Sequence, residues 1–158
     1  MDPYGRFFSA QEQTGESGEC AMHSIRNLIE SDDVKNEHMH RSAEAVAKLT
    51  GDTINNHEYE GAWWSADTII FELSQRGYAV DYHYEEDFDF DDPSVVGYII
   101  QIPEKFHFVT VRKSYIKTNM VEVVDSLQGI ETMRHRRLAL QAKKQKWNII
   151  SVKNRTEI

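Results

Sequence analysis

Residues 18–30 read GECAMHSIRNLIE. Ala21, Ile25, Leu28 and Ile29 recur at i, i+4, i+7 and i+8, the spacing of one helix face, so the segment from Cys20 to Glu30 is an amphipathic helix. Ser17 stands where an N-cap belongs, which places Cys20 in the first turn. Two more helices follow. One covers residues 40–49, with Ala43, Val46 and Ala47 inward. The next begins after Ser65 and runs to Arg76, with Ile69, Ile70 and Leu73 as its apolar stripe and Gly77 ending it. The pattern then changes period. Tyr78–Tyr84, Val95–Ile102, His107–Arg112 and Val121–Asp125 read as strands, residues 131–145 as a helix, and Trp147–Val152 as a last strand. Helices first and strands afterwards define an α+β fold, with N-terminal helices packed on a mostly antiparallel sheet.

The chain has 158 residues, 40% of them apolar and 11% aromatic, enough for one compact core. No repeat or Pro/Gly/Ser-rich linker divides it. No apolar run approaches the ~18 residues that span a bilayer, and the first residues lack the layout of a signal peptide. The expectation is a monomer of the cytoplasm or nucleus with no transmembrane segment and no cofactor. The net charge of −8 argues against a nucleic-acid partner, which needs a basic face. The charge is uneven: residues 85–92 (EEDFDFDD) are acidic, while the last 25 residues are basic. Each is a solvated surface or a partner contact.

There is a single cysteine, so no internal disulfide forms and no cysteine zinc cage exists. At a helix N-terminus, unpaired N–H groups and the macrodipole favour thiolate over thiol. The same N–H groups can hold an oxyanion. Among seven histidines, His107 stands out because it opens the apolar strand FHFVTVR. A hairpin of strands 107–112 and 120–125, centred on Ile116, sets Asp125 directly opposite His107. Cross-strand Cβ atoms lie about 5 Å apart in such pairs, within reach of an imidazole–carboxylate hydrogen bond. Against this stands the plain alternative of a core cysteine, a strand-end histidine and a turn aspartate.

Several blocks resemble a known family. Gln13 followed by Cys20-Ala21-Met22-His23 and Asn27-Leu28 resembles the Josephin signature Q…C-A-x-H-x-x-x-N-L. His107-Phe108-Val109-Thr110-Val111-Arg112 is similar to its H-W-x-x-V-R block, and Val124-Asp125-Ser126-Leu127 to its N-L-[DN]-S block. The resemblance implies a papain-like fold, with residues 1–158 as one Josephin-like catalytic domain of a deubiquitinase. It implies Cys20 as nucleophile, His107 as base and then acid, Asp125 orienting His107, and Gln13 (or Gln11) completing the oxyanion hole. Ubiquitin or polyubiquitin is then the partner. Trp64, Ser65, Asp67, Phe106 and Phe108 become the substrate-contact candidates, and His23 is structural.

Three other readings remain open: a Josephin-like module that binds ubiquitin without cutting it, a different papain-like peptidase acting on peptides, and a metal protein using His38, His40 and His57. An example of the second is a bacterial peptide-processing domain that also opens with Q…C and closes with H-x-V, but the Asn27-Leu28 and Val111-Arg112 matches favour Josephin over it.

Overall fold

A computed structural model describes residues 20–59, 63–84, 88–102, 107–114, 119–125 and 129–155. The first helix, α1 (Cys20–Ile29), buries eight of its ten residues. It is therefore a central helix enclosed on nearly every side, more than the one-faced helix its periodicity predicts. Helix α2 (Asn36–Thr50) starts four residues before the expected position, because His38 Nδ1 accepts the Lys35 N–H at 2.9 Å and closes the first turn. Gly51 ends it in the left-handed conformation, φ 70°. A two-residue hairpin, β1 (Glu58–Tyr59) and β2 (Trp63–Trp64), leads into α3 (Ala66–Gln75). The Ser65 hydroxyl caps α3 by accepting the Thr68 N–H at 3.2 Å. Helices α2 and α3 are tied by the buried Ser42 hydroxyl, which donates to Glu72 at 2.6 Å.

Six strands follow: β3 (Tyr78–Tyr84), β4 (Val95–Ile102), β5 (His107–Lys113), β6 (Met120–Asp125), β7 (Gly129–Arg134) and β8 (Asn148–Asn154). They form one sheet in the order β3-β8-β4-β5-β6-β7. Every pairing in it is antiparallel. The expectation of a helix over 131–145 is corrected here. Residues 129–134 pair with β6, and only His135–Gln145 is helical, as α4. Ile130 and Thr132 are β-branched and suit an extended chain.

Strand alternation divides the core in two. Ile99, Phe108, Ile150 and Val152 meet α1 and α3 on one face. Tyr98, Ile100, Val111 and Ile149 meet Leu138, Ala142 and Trp147 on the other, under α4. The first face is fixed by close approach at Gly97. A Cβ there would lie 2.5 Å from Leu28 Cδ1 and 2.5 Å from the Val111 carbonyl oxygen. The leucine end can turn aside, but the carbonyl belongs to the sheet. Gly97→Ala is accordingly expected to destabilise the fold by about 1–3 kcal/mol. Its midpoint in urea should fall at unchanged slope; an unchanged midpoint would show that the backbone yields.

Candidate active site

Strand β5 both carries His107 and holds the helix that carries Cys20. The Thr110 hydroxyl donates to the Ser24 carbonyl at 2.7 Å. Arg112 Nη1 donates to the Asn27 carbonyl at 2.9 Å, while its Nε donates to Glu122 at 2.8 Å. Arg112 and Glu122 are fully buried. Helix α1 is thus fixed to the sheet through two of its own carbonyls, and Cys20 stands at its first residue.

Across the strand ends, His107 Nε2 lies 2.8 Å from Asp125 Oδ1, and the imidazole also hydrogen-bonds the Cys20 side chain. The register that brings Asp125 there differs from the one the sequence predicts. The β5–β6 ladder pairs Thr110 with Val124 and Lys113 with Val121. Continuing it puts Asp125 opposite Val109, diagonal to His107. The slip is two residues, so the facing is unchanged, and a diagonal neighbour is within reach of a carboxylate–imidazole pair.

Two of the three are enclosed, Cys20 at 2% and His107 at 8% exposed, and Asp125 is half-buried. Burial pushes the imidazolium toward the neutral form. The hydrogen bonds and negative charge of Asp125 and Cys20 outweigh it, and the His107 pKa is raised to about 9. At neutral pH the ring is an imidazolium between a carboxylate and a sulfur.

The other sequence candidates are placed less uniformly. Gln13, Gln11 and Phe106 lie outside the described residues. Trp64 and Phe108 are buried in the same core cluster as Cys20, so their rings serve packing. Ser65 caps α3, and its hydroxyl meets His57 Nδ1 at 2.9 Å. Asp67 is exposed in the first turn of α3. His23 is buried on α1. The proposed metal histidines are separate: His38 caps α2, His40 pairs with Glu44 at 2.8 Å, and His57 faces Ser65 and Asp52. Among the described residues no cluster of three or more His, Cys, Asp or Glu side chains is arranged to hold a metal. Nor, among them, is any helix long and apolar enough to cross a membrane.

An antiparallel sheet with the cysteine helix packed on one face, and a Cys–His–Asp chain across the ends of β5 and β6, is the papain-like α+β architecture. Among solved structures the chain is similar to the peptidase domain of Streptococcus ComA, a bifunctional ABC transporter involved in quorum sensing. The TM-score is 0.53 at 13% identity, covering 94% of this chain and 99% of that one. It is also similar, at TM-score 0.49 and 12% identity, to a double-glycine-motif protease from an AMS/PCAT transporter, solved with a leader peptide; 94% of this chain and 96% of that one are covered. No family model and no curated protein matches the chain.

These findings correct the Josephin assignment. The fold match is to the peptidase domain of ComA, and not to a Josephin deubiquitinase. The matching motif residues have local explanations. Arg112 bonds the Asn27 carbonyl where β5 grips α1, Leu28 fills the core beneath α1, and Val111 fills the core on the opposite face of the sheet. They report how a helix is fastened to a sheet, a demand that is not confined to one branch of the fold.

Proposed function

We propose that this protein is a thiol peptidase acting on peptide substrates. The observation that carries the reading is the continuous Cys20–His107–Asp125 hydrogen-bond chain at the N-terminus of α1. The papain-like fold, shared with a peptidase domain, supports it. Nothing in the fold or the comparisons supports ubiquitin as the substrate.

In this reaction the Cys20 thiolate attacks the scissile carbonyl carbon, forming the S–C bond. The oxyanion takes the Cys20 backbone N–H at the helix start, where the positive end of the helix dipole lies. Gln13 or Gln11 is the sequence candidate for the second donor. The tetrahedral species collapses with cleavage of the C–N bond, and His107 gives its proton to the leaving amine. His107, now neutral, takes a proton from water as the water attacks the thioester. The acid leaves and the thiolate is restored. Asp125 holds the ring in place and stabilises its charged form.

Buried cysteines are ordinarily inert, so reactivity decides between enzyme and scaffold. At neutral pH the purified protein should react with iodoacetamide faster than free cysteine does, at Cys20 alone. It should also cut a degenerate peptide library, an activity absent in Cys20→Ala. An inert thiol together with an intact library would overturn the peptidase reading and leave a papain-like scaffold.

A further inference from the structure

We propose that the cavity between the sheet and α4 is a subsite for one large apolar side chain of the substrate, on the leaving-group side of the scissile bond. This inference rests on the peptidase reading above.

The cavity has a volume of about 230 Å³. An apolar cavity of ~150 Å³ already admits benzene, so the space suits one branched or aromatic side chain and is small for a larger ligand. Ile100, Ile102, Val109, Val123, Met133 and Trp147 are among its apolar lining, and Gln141 lines it from α4. Ile102, Val123 and Ile130 remain half-buried although they belong to this apolar wall. The α4-side core is therefore unfilled at one end.

That end is the catalytic end. Asp125 is itself part of the lining. Ile102 is the direct cross-strand partner of His107, so the two share a sheet face. His107 is thus flanked by a cavity residue on each neighbouring strand, Ile102 on β4 and Asp125 on β6. The direction follows from the chemistry. His107 bonds Cys20 on one side and Asp125 through Nε2 on the other. The leaving amine takes its proton from His107, so the chain it belongs to lies against the imidazole, whose neighbours on the adjoining strands are the cavity residues Ile102 and Asp125. An apolar side chain seated there also excludes water from the His107–Asp125 pair and strengthens it. Asp125 and Glu131 both line the cavity and oppose a substrate carboxylate at this position.

The test compares the parent protein with Gln141→Trp, which fills the cavity from the helix and leaves the sheet and the three site residues untouched. Both are profiled on a degenerate peptide library by mass spectrometry. The parent should favour Leu, Ile, Met or Phe over Ser, Asp and Glu at one leaving-side position by about 10-fold or more. In Gln141→Trp that preference should collapse. Peptides with a large apolar residue at that position should lose about 10-fold in kcat/KM, chiefly through KM, while peptides with glycine there keep their rate and Cys20 alkylation is unchanged. Cleavage without leaving-side preference, or a Gln141→Trp protein that is merely more stable with the same selectivity, would overturn the subsite and leave the peptidase reading standing. No cleavage of any peptide would overturn that reading and the subsite with it.

Discussion

Replacing Asp125 with alanine should lower kcat/KM by about a hundredfold or more and draw the alkaline limb of the activity profile down from about 9. The direction follows from what acts on His107. Burial disfavours its charged form, and the Asp125 hydrogen bond and charge are the main opposition, with Cys20 second. Without Asp125, burial is opposed by Cys20 alone, and the imidazole gives up its proton at lower pH. The parent needs an imidazolium to protonate the leaving amine, so its rate should fall as pH rises through about 9. In the variant the fall should begin well below that. The imidazole also loses its orientation, and general acid–base catalysis is worth about 10²–10⁴-fold when correctly aimed. An NMR titration of the His107 ring supplies a readout independent of turnover: a midpoint near 9 in the parent, lower in Asp125→Ala. Equal midpoints would show that Asp125 does not hold the proton, and an undiminished rate that it does not matter for the reaction.

Arg112→Met is expected to be the most damaging single change to stability. It leaves Glu122, 0% exposed, without the guanidinium that bonds it at 2.8 Å. Breaking a buried pair by removing one partner costs about 3–5 kcal/mol. That is a large share of the ~5–15 kcal/mol typical of a folded domain. The same change removes the donor to the Asn27 carbonyl, so α1 loses one of its fastenings to β5. Denaturant titration should therefore show the midpoint falling steeply in Arg112→Met. It should recover substantially in the double variant Arg112→Met/Glu122→Met, where no buried charge is stranded. If the single variant is as stable as the parent, the pair is not a structural clamp. If the double variant is no better than the single, the loss belongs to the bond with α1.

Much of the fold was legible because the chain switches hydrophobic period cleanly. Strands β3 and β4 run over the residues that alternation predicts, Tyr78–Tyr84 and Val95–Ile102. The region after Gly129 reads as one helix because Leu138 and Ala142 are buried at helical spacing and no Gly or Pro separates residues 130–134 from 135–145. What makes residues 129–134 a strand is pairing with β6, a partner that periodicity cannot reveal. The His107–Asp125 contact was legible for a related reason. The hairpin midpoint was misjudged by one residue, which shifts the ladder by two. A period of two returns the same side chains to the same face. The relatedness was not legible. Asn27 and Arg112 look like a family signature, yet they meet because one fastens the helix to the strand of the other.

The sheet order has a consequence for how the protein comes into being. Strand β8, nearest the C-terminus, lies between β3 and β4. Until residues 148–154 have left the ribosome, β3 has no neighbour in the sheet and β4 lacks one of its two. Cys20 and His107 are synthesised early, but the surface that seats α1 includes Ile150 and Val152. The nascent chain therefore carries its thiol and imidazole without a platform to align them. Such late, long-range closure folds slowly, and it keeps the cysteine centre unassembled until translation has passed the last strand.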